Sequence, residues 1–341
     1  MTKLFLVLGV FVVGMVLVSR MAQSQVVGSG AKSPSTTPVA SLLSERPPVD
    51  QPVEIGHVRW GRDLDAALAA SKQSGKPVLL LFQEIPGCAG CQRFGREVLT
   101  QPLLVEAIES EFVPVVAYNN RSTGIDKELL VRFKEPAWNY QVMRFLNADG
   151  KDIVPRRDRV WTLSAVVERL IEVLQTAKRP VPKYLQTVAA AEQQSEHAQA
   201  AFAMYCFWTG EQKLGKIDGV VSTEAGWFDG REVTLVYYDK KKLPLEKLAT
   251  EAARVRCADK VYTAEGANLA GLSGGKLDAS YRPASASDQK KQVSRLKGLA
   301  KTPGINAMQM TKFNSLAVEN MATALQWLSP RQREYLEKTL R

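Results

Sequence analysis

"GKPVLLLFQEIPGCAGCQRFGREVL", Gly75 to Leu99, is the stretch that decides the fold. "KPVLLLF" is a short unbroken apolar run, as expected of a central strand buried on both faces. It passes through "QEIPG" into Cys88-Ala89-Gly90-Cys91, and this cysteine pair opens a helix. That placement has a physical use. Unpaired N–H groups and the positive end of the helix dipole favour a thiolate on the first cysteine. The second lies within reach to close a strained, readily reduced disulfide. Half of a metal site and an inert structural disulfide are the other uses of the spacing.

The neighbouring segments extend the pattern. "DLDAALAASKQSG" has apolar residues at helical spacing and closes on Gly75, a C-cap. "LLVEAIESEF" is a second helical stretch and "VPVVAY" a second buried strand. "YQVMRFLNADGKDIV" reads as a hairpin turning at Ala148-Asp149-Gly150, and "TLSAVVERLIEVLQ" as an amphipathic closing helix. Together they predict a small α/β sandwich over residues 53–176.

The order "GKPVLLxF…CxxC…VL…I…FVPV", carried by Gly75–Phe82, Cys88, Cys91, Val98-Leu99, Ile108 and Phe112–Val115, resembles the thioredoxin-like superfamily. The resemblance implies a thioredoxin fold with Cys88 as attacking thiol, Cys91 as resolving thiol and a protein disulfide as substrate. The superfamily's cis-proline, which faces the cysteine pair, has its place near Gln141, within "AWNYQVMRF"; Pro136 lies too early.

Residues 177–200, Ala- and Gln-rich after Arg179-Pro180-Val181-Pro182, read as a helical or mixed linker. A second, α+β domain spans 201–341. "AFAMY" is a strand candidate, "FWTGEQKLGKI" a helix, "GVVSTEAGWFDG" a strand and turn, "EVTLVYYD" a strand and "LPLEKLATEAARVR" a helix. In "LSPRQREYLEKTL", Ser329 caps, Pro330 takes the first helical position and Gln332 completes a capping box.

Cys206, Phe207, Trp208 and Glu211, then Gly219-Val220, Ser222-Thr223, Gly226 and Gly230, then Glu232, Val233, Tyr238 and Asp239 follow one signature in order. The stretch resembles the A-type peptide-methionine (S)-S-oxide reductases. The resemblance implies Cys206 as nucleophile on a sulfoxide sulfur and Phe207 and Trp208 around the substrate methyl. It further implies Glu232 as proton donor to the departing oxygen and Tyr281 as an oxygen-binding hydroxyl. Oxidised methionine in a protein or peptide would be the substrate. Attack leaves a sulfenic acid that a second thiol must clear. Cys257 is the only spare thiol in the domain, and reads equally as a resolving thiol or a buried helix-end residue. The Cys88/Cys91 dithiol could serve as electron relay to Cys206, recharged by an upstream thiol reductant. The alternative is a thiol–disulfide oxidoreductase whose second domain only binds. The pattern also departs from the signature: Tyr205 replaces a glycine, the loop before Glu232 is nearly deleted, and Lys276 stands at an aspartate's place, leaving Asp278 unassigned.

The N-terminus carries Lys3, then an apolar run from Leu4 to Val18, then Ser19-Arg20. Residues 1–24 read as a signal peptide or membrane anchor, and 25–52, rich in Ser, Thr, Pro and Gly, as a flexible tether. The expected setting is therefore exported: periplasmic or otherwise extracytoplasmic, on or near a membrane. The formal charge of +10 is scattered, with no basic stripe interleaved with aromatics, which argues against nucleic acid. A four-ligand zinc site would have to draw on nearly all of the four cysteines and two histidines across two domains, which argues against zinc, and no cofactor is expected.

Overall fold

The computed structural model describes residues 51–137, 141–192, 197–294 and 298–340. The N-terminal signal or anchor, and the tether up to residue 50, lie outside the described residues. Val78–Gln83 forms the expected strand, β1, buried throughout after α1 (Leu64–Ser74). The Asp63 carboxylate caps α1 and Gly75 ends it in the left-handed conformation. Leu79 and Leu81 enter one core, and Val78, Leu80 and Phe82 the other. A strand apolar on both faces requires helices on both sides of its sheet.

Those helices follow in order. α2 (Ala89–Glu97) and α3 (Pro102–Glu111) lead to β2 (Val113–Tyr118), parallel to β1. α4 (Gly124–Phe133) precedes β3 (Val142–Leu146), antiparallel to β1, and the two-residue β4 (Arg157–Asp158). α5 (Leu163–Thr176) comes next. The sheet order is β2-β1-β3-β4, with α1 and α4 on one face and α2, α3 and α5 on the other. α4 is absent from the sequence expectation, although Leu129, Leu130 and Phe133 recur at helical spacing. The hairpin turns at Asn147–Gly150, where Gly150 N–H donates to the Asn147 carbonyl at 3.0 Å. Its returning arm is a strand only at β4, because Pro155 has no N–H to continue the ladder.

The segment expected as a linker is instead built into the fold. α6 (Lys183–Glu192) buries Tyr184, Leu185 and Val188 in the same core as α2, α3 and α5. β5 (Ala198–Ala203) then opens a second sheet. α7 (Phe207–Leu214) leads to the hairpin of β6 (Val220–Phe228) and β7 (Arg231–Tyr238). Asp229 and Gly230 at its tip have φ of 54° and 67°, the backbone of a tight two-residue turn. α8 (Leu245–Arg254), β8 (Lys260–Thr263), β9 (Ser273–Lys276) and β10 (Arg282–Pro283) complete the order β10-β6-β7-β5-β8-β9.

α9 (Lys291–Ser294), α10 (Ala307–Leu316), α11 (Met321–Leu325) and α12 (Pro330–Leu340) finish the chain. The predicted capping box at α12 is present: Ser329 Oγ accepts the Gln332 N–H and Gln332 Oε1 accepts the Ser329 N–H. The start of α12 docks on α3, where Glu106 accepts the Arg331 N–H at 2.6 Å and Glu109 the guanidinium at 2.6 Å. Asn306 donates to the Thr187 hydroxyl of α6 at 2.9 Å. Among the described residues no helix is long and apolar enough to cross a membrane.

Candidate functional site

β1 ends at Gln83, and the chain turns through Glu84–Gly87 to place Cys88 as the N-cap of α2. Glu54 Oε1 accepts the Gly87 N–H at 2.8 Å, and Glu84 Oε2 the Cys88 N–H at 3.2 Å. The Cys88 and Cys91 sulfurs are 3.3 Å apart; Cys88 is exposed and Cys91 buried. Their acidities diverge. The Cys91 N–H, then the Cys91 thiol, hold the Cys88 thiol below its ordinary pKa. Burial, with the hydrogen bond to Cys88 next, pushes Cys91 up to about 12. The helix start thus favours the thiolate form at Cys88, while burial favours the thiol form at Cys91. Glu84, Cys88 and Cys91 also bring ligand atoms within 4.8 Å of one another, a donor set suited to a thiophilic ion.

Cys206 is the half-buried N-cap of α7, and Glu232 of β7 reaches this helix start to accept the Phe207 N–H at 2.8 Å. Nucleophile candidate and carboxylate therefore meet at one helix N-terminus. Gly210 allows the approach, since a Cβ there would lie 2.1 Å from Thr234 Oγ1. Phe207 is buried edge-on between Trp208 and Trp227, with ring centroids 5.7 and 5.6 Å away. Trp208 donates its indole N–H to the Asp288 carbonyl at 2.9 Å. Trp227 stands opposite Glu232 across the β6–β7 ladder. It is absent from the sequence expectation, although its place directly after Gly226 in the matched signature pointed to it.

Three expected roles need correction or refinement. The Tyr281 hydroxyl donates to Glu224 at 2.7 Å, and its ring lies over Gly226. Strand side chains alternate, so Glu224 and Gly226 face one side of the sheet while Ala225, packed on Phe207, faces the other. Cys257 is buried in the core beneath α7, its thiol pointing at the Thr209 carbonyl. Burial raises its pKa; Lys213 opposes this and Cys206 adds to it, so Cys257 lies within electrostatic reach of Cys206. The Cys88–Cys91 pair is surrounded by Glu54, Glu84 and α2, and Cys206 by α7, β6 and β7. Along the chain between the two thiol sites, α6 is packed into the first core instead of forming part of a linker.

Residues 59–147 match the family model described as Thioredoxin-like. This part of the chain is a thioredoxin-like domain. A solved DsbH oxidoreductase is 19% identical, over 37% of this chain and 90% of that one, at a TM-score of 0.30. No curated protein matches the chain. In the thioredoxin-like domain, Gln141, at the place the sequence marks for the superfamily's proline, is fully buried. It pairs through both side-chain amide atoms with Val160, at 3.1 Å each, and its carbonyl accepts the Arg159 N–H at 3.1 Å. Arg159 and Trp161 thereby line a groove beside Cys88. Neither residue figures in the sequence expectation, since a contact between Gln141 and residues 18 or more positions away leaves no local pattern.

Proposed function

We propose that this chain is a thiol–disulfide oxidoreductase in which Cys88 attacks a substrate disulfide and Cys91 resolves the mixed disulfide. The observation that carries the reading is the opposed acidity of two sulfurs 3.3 Å apart, one exposed and one buried. An exposed low-pKa thiol is the better nucleophile near neutral pH, and a protonated partner does not compete for the first attack. The apolar run after Lys3 supports an exported setting, where such a dithiol meets protein disulfides and an upstream thiol reductant supplies electrons. The reduced chain is expected to cleave a model protein disulfide. Cys88→Ser is expected to abolish this, and Cys91→Ser to accumulate a mixed disulfide on Cys88 visible by mass spectrometry. A Cys88→Ser protein that retains full activity removes the reading.

A second activity is supported by Cys206 and Glu232 meeting at the start of α7 beside the Phe207–Trp208–Trp227 cluster. We propose that this site reduces a methyl sulfoxide. Cys206 would attack sulfur, Glu232 would give a proton to the departing oxygen, and the resulting sulfenic acid would be cleared by a thiol reductant. Turnover of a methionine-sulfoxide peptide with dithiothreitol, lost in Cys206→Ser and kept in Cys88→Ser, is the expected result. No turnover by the parent protein leaves the second domain a binding module.

A further inference from the structure

We propose that the groove beside Cys88 selects small disulfides that carry carboxylate groups; this rests on the thiol–disulfide reading above. The groove holds about 460 Å³ and is lined by Cys88, Arg93, Phe94, Glu97, Arg159 and Trp161 among others. That volume suits a ligand of a few residues or fewer. Its wall is apolar, with Trp161 packed edge-on against Phe94 at 5.7 Å. Arg93, Arg159 and Glu97 line it, and the Glu84 carboxylate beside it accepts the Cys88 N–H at 3.2 Å. Past Trp161 the hollow continues to Thr162 and Leu163 at the start of α5, where aligned peptide dipoles also favour negative charge.

The placement of Arg159 is the stronger sign. Its φ is +58°, a left-handed backbone that disfavours an arginine and that glycine would adopt freely. Strain of this kind persists only where the surroundings enforce it, and it clusters at ligand sites. Here buried Gln141 enforces it through the Arg159 N–H and both backbone groups of Val160. Gln141 thus fixes the backbone that places Arg159 in the lining of the groove beside Cys88. Arginine matches carboxylate geometry with paired hydrogen bonds, and rim charges raise the encounter rate of oppositely charged partners.

The step balances. The Cys88 thiolate attacks one sulfur of R–S–S–R, forming Cys88–S–S–R and expelling R–S⁻, which takes a proton from solvent. Cys91 gives its proton to solvent and attacks the Cys88 sulfur, expelling the second R–S⁻. The protein dithiol loses two electrons and the substrate becomes two thiols.

The test uses the reduced full chain and three small disulfides: anionic 3,3′-dithiodipropionate, neutral 2-hydroxyethyl disulfide and cationic cystamine. Formation of the Cys88–Cys91 disulfide is followed by mass spectrometry, and each rate is divided by that of 2-mercaptoethanol with the same disulfide. At low salt the anionic probe is expected to exceed the neutral one by about fivefold to tenfold, and cystamine to fall below it. The preference is expected to shrink as salt rises. Arg93→Gln, at an exposed helix position, is expected to cut the anionic-to-neutral ratio at least about twofold. Combining it with Arg159→Asn, which tolerates the left-handed backbone, is expected to bring the ratio near unity. Equal normalised rates in the parent, a preference for cystamine, or a ratio unmoved by Arg93→Gln overturns the proposal. Failure to react with any of the three while a model protein disulfide is still cleaved overturns this proposal alone; failure with the protein disulfide as well overturns the thiol–disulfide reading.

Discussion

Cys91 stays protonated up to about 12 because it is buried against the Cys88 sulfur, and this ties the stability of the reduced protein to pH. The folded pKa lies above the ordinary thiol value of 9.0, so folding holds a proton that the unfolded chain releases sooner. The stabilisation is complete below pH 9 and is lost as pH rises toward 12. Cys88 acts in the opposite sense: its folded pKa is depressed, so its contribution is present above 9 and is lost as pH falls through the folded value. Under dithiothreitol, the stability advantage of the parent over Cys91→Ala is expected to narrow between pH 8 and 10.5, read from denaturant midpoints. An advantage that stays constant across that range would show that Cys91 is not held protonated. The two cysteines were readable in the sequence because strand, turn and helix start are contiguous there. Gln141 was readable only as a missing proline, and what it does required Arg159 and Val160 to be brought beside it in space.

The start of α7 shows how an element borrows a cap. Cys206 makes no side-chain capping bond, and Glu232 supplies the acceptor from β7 to the Phe207 N–H. A carboxylate at a helix start is favoured both by the free N–H groups and by the dipole. Glu232→Ala is expected to cost about 1 kcal/mol of stability. Glu232→Gln should cost less, because its amide oxygen can accept the same N–H. If Glu232 is also the proton donor of the sulfoxide reaction, both variants lose turnover although only the alanine loses the cap. Urea midpoints beside sulfoxide turnover separate the roles: a stable and active glutamine variant removes the acid role, and an alanine variant as stable as the parent removes the cap. The order of motifs was enough to bring Cys206 and Glu232 together. For Tyr281 nothing in the sequence pointed to its hydroxyl donating to Glu224, because that pairing joins residues 57 positions apart.

At the scale of the molecule, α6 decides where one folding unit ends. The Ala- and Gln-rich composition reads as a tether, yet Tyr184, Leu185 and Val188 fall on one helical face, and that face fills the first core. Burying three such side chains is worth on the order of 5 kcal/mol, which rivals the whole stability of a small domain. A fragment of residues 51–176 is therefore expected to lack a cooperative thermal transition, whereas 51–192 is expected to melt cooperatively and keep the Cys88–Cys91 chemistry. The other face of α6 bonds Asn306 through Thr187, and Glu106 and Glu109 of α3 hold Arg331, so the C-terminal helices rest on the thioredoxin-like domain through polar contacts. Hydrogen bonds of this kind, made to buried Thr187, Glu106 and Glu109, contribute a net of about 1 kcal/mol each, less than the apolar burial beneath α6. Removing residues after 192 should then lower the melting temperature of the first domain by less than removing α6 does. Equal melting of 51–176 and 51–192 would return α6 to the role of a linker.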